Sequence, residues 1–108
     1  MDEQSTKEDV LSVMRVLSAD EAANQRDLSG RLGFSLGKTN YLLKSLVQKG
    51  FVEIRNFTRG DKKFKKITYM LTPKGFDHKV KLAVYFLKKK EEEYLVLKKE
   101  VEQVKKVR

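Results

Sequence analysis

The sequence predicts a mainly α (α+β) fold: three short helices, a two-stranded hairpin, and one long C-terminal helix. Three observations carry this expectation. Apolar residues recur at helical spacing up to Val47, two short alternating segments flank a glycine-containing turn, and no proline follows Pro73. At 108 residues the chain suits one domain and little more. So small a core leaves much surface open, which makes a second copy a natural supplement.

The first helix is expected over residues 6–18. Ser5 or Thr6 would cap it, and Val10, Leu11, Val13, Met14, Val16 and Leu17 would form its apolar side. Residues 18–24 read as a polar connection. Asn24 caps a second helix, Gln25 to Leu32, which stops at Gly33. A third helix starts at Ser35 and runs over residues 35–49 to Gly50, with Thr39, Leu42, Leu43 and Leu46 turned inward. Strands are expected over 51–57 and 66–72, with Ile67, Tyr69 and Leu71 sharing a face. The turn between them carries a cluster of cations. Thr72 and Pro73 then open the last helix as cap and first helical residue. Two short helices joined at Gly33 and followed by a basic hairpin describe a winged helix-turn-helix domain over residues 1–72. Residues 73–108 form a coiled-coil-like dimerisation helix.

Charge is unevenly spread. Residues 1–24 carry 2 basic and 6 acidic groups, residues 25–72 carry 11 and 3, and residues 73–108 carry 11 and 6. The middle third is therefore the electropositive part, as expected of a protein that grips a phosphate backbone. Double-stranded DNA is the partner this implies.

On the third helix the outward set is Leu36, Gly37, Lys38, Asn40, Tyr41, Lys44, Ser45 and Gln48, a face without an acid. Asn40 suits adenine, and Lys38 suits guanine or a phosphate. Gly37 allows close backbone approach. Ser35 caps a helix end whose amides can face a phosphate. Gln25 and Arg26 are placed for the DNA backbone. In the hairpin turn, Arg59, Lys62, Lys63 and Lys65 are candidates for the adjacent minor groove, with Arg55 a weaker one.

These residues resemble a known family. The segment from Gln25 to Glu53, with SLGKTNY at its centre, then LTPKG, then YFLKKKEEEYLVL, is similar to small MarR-family EPS-associated transcriptional regulators of bacteria. The resemblance covers roughly residues 10–102. It implies a winged-helix transcription factor near exopolysaccharide genes, and places its recognition segment on Ser35, Leu36, Gly37, Lys38, Asn40 and Tyr41. The family often has valine and cysteine where this chain has Thr39 and Leu42. Compared with longer MarR proteins, the chain is expected to lack an extra N-terminal helix and much of the helical domain that binds small effectors.

In the last helix, Val80, Ala83, Leu87, Lys90, Tyr94, Leu97, Val101 and Val104 repeat at steps of 3 and 4, a heptad seam broken only by Lys90. Such a helix outruns one small domain and calls for an identical partner. Phe76, Val84 and Phe86 are expected to pack on its own domain. Glu93 and Glu100 against Lys98 and Lys105 lean toward a parallel pair, each exposed pair worth only about 0.2–1 kcal/mol. A two-fold dimer would read a pseudo-palindromic operator.

Other classes fit less well. There is no cysteine and one histidine, His78, beside Lys79, and the acids fall in runs without a partner base. No enzyme, cofactor or metal is expected. No apolar run approaches 18 residues, and the polar, acidic start is unlike a signal peptide, so the chain reads as cytoplasmic, with no membrane partner. The competing reading is a non-catalytic module that docks protein or RNA. The operator, the regulated genes and any small-molecule effector are not legible.

Overall fold

The computed structural model describes residues 3–19, 23–58 and 65–107. The elements run α1 (Glu3–Ala19), α2 (Gln25–Leu32), α3 (Leu36–Gln48), β1 (Val52–Thr58), β2 (Lys65–Leu71) and α4 (Pro73–Val107). The order matches the sequence expectation. The start of α1 does not. The helix already holds residues 3–5, so neither Ser5 nor Thr6 is its cap.

Leu11, Val13, Met14 and Leu17 of α1 meet Leu28 of α2 and Leu42, Leu43 and Leu46 of α3 in one core. β1 and β2 pair antiparallel, with Val52 opposite Leu71 and Ile54 opposite Tyr69. A pairing that the sequence gave no sign of joins the other edge of β2. Ala23 exchanges both backbone hydrogen bonds with Tyr69, at 3.2 and 2.8 Å. The connection after α1 therefore ends as a one-residue strand, and β2 is held on both sides.

Tyr69 and Leu71 pack against the core, but Ile67 does not share their burial and is half-exposed. It lies further toward the hairpin tip, at the end of β2 away from the helical core. Thr68, on the opposite face, is buried and donates to the Arg55 carbonyl at 3.3 Å.

The start of α4 is fixed at a crowded corner. Thr72 Oγ1 accepts the Gly75 amide at 3.0 Å and donates to the Gly50 carbonyl at 2.7 Å. Lys74 Nζ donates to the Lys49 carbonyl at 3.1 Å. Gly75 sits directly on the Phe51 carbonyl, which a Cβ would strike. One turn on, His78 stacks on the Phe51 ring, with centroids 4.3 Å apart and planes 7° from parallel. Burial first, then the charges of Lys49 and Lys81, hold this imidazole below its ordinary pKa, so the stacked ring is neutral at neutral pH.

From that seat the buried stripe of α4 follows helical steps. Gly75 is followed by Lys79, which donates to Ser18 at 2.9 Å, and then by Leu82 and Phe86 in the core. Of the three residues expected to pack inward, only Phe86 does. Phe76 is 50% exposed and Val84 46% exposed. The contact at Gly75 rotates the helix so that Leu82 takes the inner position. Beyond Lys90 every described side chain is exposed, and the molecule is 75 Å long but only 25 × 24 Å across.

The crowding gives a test. Gly75→Ala should cost about 1–3 kcal/mol or more, because backbone must move. Gly30→Ala, in a helix with open space around it, should instead gain about 0.5–1 kcal/mol. Urea denaturation of both variants checks this, and equal midpoints would refute the seat.

Candidate nucleic-acid interface

The two helices of the turn are set by caps at three points. Asn24 Oδ1 accepts the Asp27 amide at 2.7 Å and starts α2. Gly33, at φ 69°, ends it, and the Phe34 amide returns to the Ser29 carbonyl at 3.1 Å. Positive φ is why glycine is needed there. Ser35 Oγ accepts the Lys38 amide at 3.1 Å and starts α3. All three caps follow the sequence expectation.

A fourth link was not foreseen. The buried hydroxyls of Ser29 and Thr39 lie 2.9 Å apart, and Thr39 Oγ1 also donates to the Ser35 carbonyl at 2.9 Å. Ser29 must then be the donor to Thr39. This chain of hydrogen bonds locks α2 to the first turn of α3 from within.

The outer face of α3 is largely as expected. Leu36, Gly37, Tyr41, Lys44 and Gln48 are exposed, and Asn40 and Ser45 are half-buried with one side open. Tyr41 is 67% exposed. A Cβ on Gly37 would meet nothing within 4 Å, so the fold itself does not require glycine there. Among the described residues of this helix there is no acid.

Two expected contacts are engaged elsewhere. Lys38 turns back toward α1, its Nζ 2.9 Å from Asp9 Oδ2 and 4.1 Å from the centre of the Phe34 ring. Gln25 does not reach outward either. Its Nε2 donates to the Leu36 carbonyl at 3.1 Å, spanning the turn. Both are long polar side chains with an acceptor close by, and a local partner is met at less entropic cost than a distant one. Arg26, one residue on, remains exposed. Arg55 is bound to Glu53 at 3.2 Å on the exposed side of β1. Arg59, Lys62 and Lys63 lie outside the described residues. Lys65 opens β2 as a backbone position, and its side chain also lies outside them.

Three capped helices, a rigid turn, and an antiparallel hairpin between α3 and α4 decide the architecture. The fold is a winged helix-turn-helix. A family model described as winged helix-turn-helix DNA-binding matches residues 10–53. Among solved structures, the winged helix of this chain resembles a candidate transcriptional regulator of Thermoplasma acidophilum. The TM-score is 0.68 at 19% identity, covering 87% of this chain and 96% of that one. The multiple antibiotic resistance repressor MarR gives 0.65 at 21% identity, covering 78% and 59%. Bacillus subtilis PadR in complex with operator DNA gives 0.59 at 20% identity, covering 69% and 46%. The chain thus spans about half the length of the MarR and PadR chains it matches, and at these identities the likeness is one of fold. No curated protein matches the chain.

Sequence reasoning missed Asp9 and Ser29 as organisers of this face. Asp9 looks like any exposed acid of a first helix. The signal for Ser29 was its partner, the threonine at 39 where an aliphatic residue would have served a purely apolar core.

The internal lock predicts a coupling. Thr39→Val keeps the shape but strands the Ser29 hydroxyl, and should cost about 1–3 kcal/mol. Adding Ser29→Ala should restore most of it. A double-mutant cycle by chemical denaturation measures the coupling, and additive losses would refute the lock.

Proposed function

We propose that this chain is a sequence-specific, double-stranded-DNA-binding transcriptional regulator that acts as a homodimer. The observation that carries the reading is the acid-free outer face of α3, held rigid by caps at both ends of the turn. A helix so presented fits a major groove with its first turns foremost. The fold likeness to PadR solved with operator DNA supports it.

In this reading Asn40 pairs with an adenine edge, and Tyr41 and Leu36 make apolar or backbone contacts beside it. Gly37 lets the sugar-phosphate backbone approach α3 closely. The amides behind Ser35 face a phosphate. Arg26 and Lys44 neutralise flanking phosphates, and Gln25 shapes the turn in addition to any backbone contact. Lys38 reaches DNA by exchanging Asp9 for a phosphate or guanine. Arg59, Lys62, Lys63 and Lys65 follow the adjacent minor groove.

Residues 1–72 would read DNA and residues 73–108 would join the copies. The seam residues Val80, Leu87, Tyr94, Leu97, Val101 and Val104 are all exposed in the single chain. An exposed apolar row of this length marks an interface. Two copies on a pseudo-palindromic operator can occlude a promoter without further machinery, which favours a repressor or autoregulator, and exopolysaccharide genes are the targets the family resemblance points to. The site of action is the chromosome, hence the cytoplasm. Among the described residues no helix is long and apolar enough to cross a membrane.

The reading is tested in two steps. Duplexes selected from a random pool should yield a half-site, and Asn40→Ala should weaken binding to it by about 1–3 kcal/mol in fluorescence anisotropy. Wild-type affinity in that variant would sink the assignment of the reading face. Leu97→Glu combined with Val101→Glu should give folded monomers in sedimentation equilibrium, since these side chains are 60% and 54% exposed in the single chain. A dimer of unchanged stability would refute the seam.

A further inference from the structure

We propose that the two α4 helices pair antiparallel, each outer half lying on the inner half of its partner beside the partner's α1. The proposal rests on the homodimer proposed above and assigns its geometry.

The first argument is the seam residue Lys90. In a parallel pair each seam position faces its own copy, so Lys90 would meet the partner's Lys90 inside an apolar row. Two ammoniums in contact there would repel with little water to screen them. In an antiparallel pair the seam positions match in another way. Val80 meets the partner's Val104, Ala83 meets the partner's Val101, Leu87 meets the partner's Leu97, and Lys90 meets the partner's Tyr94. All eight positions are used, and Lys90 lies against an aromatic ring, a favourable neighbour for a cation. Its ammonium stays 3.9 Å from Glu93 of its own chain.

The second argument is the surface beside that seam. A groove between α1 and α4 is lined by Glu8, Leu11, Ser12 and Arg15 on one side and by Ala83, Phe86, Leu87 and Lys90 on the other. Ala83 and Leu87 are the seam positions that would receive the partner's Val101 and Leu97. The partner's Glu100 then falls beside Phe86, in the groove that Arg15 and Glu8 both line. The partner's Lys105 falls beside Asp77, an exposed acid at the start of α4. Opposite charges thus meet at Asp77, while Glu91 and Glu93 each face the same residue of the partner at the water-exposed rim, where screening weakens the repulsion.

The third argument is the outer half itself. From Glu91 to Lys106 every side chain is exposed. A parallel pair would leave these turns as an isolated two-stranded stub, too short to be firm in water. The antiparallel pair lays them on a folded surface. The parallel arrangement has its own charge pairs, Glu93 with Lys98 and Glu100 with Lys105. Those lie at the water-exposed rim, where screening weakens them, whereas Lys90 lies in the seam.

The geometry has a consequence for DNA. Each wing domain is seated on α4 between Gly75 and Phe86, centred near Val80. In the antiparallel register the two seats lie 24 residues apart along the pair, about 36 Å at ~1.5 Å per residue. That is close to one turn of B-DNA, about 34–36 Å.

The test uses the full chain, which has no cysteine of its own. Leu87→Cys and Leu97→Cys are made singly and then mixed by co-expression. A disulfide needs Cβ atoms about 4 Å apart, and in the proposed register like positions are separated by ~10 residues, or ~15 Å. Neither variant alone should crosslink on oxidation, and the mixture should give a disulfide-linked dimer joining position 87 to 97. Self-crosslinking of Leu97→Cys would overturn the antiparallel order. A dimer that crosslinks in none of the three samples would overturn the register. A monomer in sedimentation equilibrium before oxidation would instead overturn the homodimer itself, so the two failures are told apart.

Discussion

The hydroxyl of Thr72 holds two helices at once. It accepts the Gly75 amide that starts α4 and donates to the Gly50 carbonyl that follows α3. Around it the Phe51 carbonyl occupies the space a side chain at 75 would need, and the Phe51 ring is covered by His78. Because backbone meets backbone here, the corner has little room to flex. The direction of α4 is thereby fixed relative to α3. The proposed reading helix and the proposed pairing helix are joined by a rigid elbow, and the rest of the architecture depends on that angle.

The reading face is organised from behind in the same way. Its outer side is open, but the inner side is tied by the Ser29–Thr39–Ser35 hydrogen bonds, and the first turn is braced by Gln25. Such bracing lowers the entropy lost when the face meets a partner. Lys38 adds a local competition. Its ammonium is shared between Asp9 and the Phe34 ring, so any phosphate that draws it out must replace both. In the proposed complex that would make its contribution to DNA affinity a difference between two contacts, smaller than its formal charge suggests.

The fold was legible because its signals were local. Asn24, Gly33, Ser35, Thr72 and Pro73 each mark a helix end by a side chain or φ requirement that acts within a few residues. What escaped reading was set by distant chain. Ala23 pairs with Tyr69 through backbone alone, which no side chain advertises. Ile67 fits the alternating pattern but falls beyond the helices that would cover it. The inner stripe of α4 passed through Leu82, with Phe76 and Val84 left in the open, because the seat of Gly75 on Phe51 chose the rotation. Several apolar stripes were compatible with the sequence. The candidate site followed the same division. The exposed residues of α3 were readable from periodicity, while the inward turn of Lys38 and Gln25 depended on partners far away in sequence or across the turn.

In the proposed dimer the elbow and the seam together constrain what can be recognised. One winged helix offers a short face and reaches few base pairs, so selectivity among many sites requires two faces at a fixed separation. Here nothing in α3 sets that separation. In the proposed dimer it is set by how far along α4 the two corners stand and by the helical rotation between them. In the proposed dimer an error of one base pair in spacing would rotate the second half-site by about 35° around the DNA axis, a misfit that the corner at Gly75, tied by the Thr72 hydrogen bonds, would resist. Specificity is therefore divided between two distant parts of the chain. In the proposed dimer the residues around Asn40 would choose the bases, and the seam from Val80 to Val104 would choose the distance at which a second copy of those bases must lie.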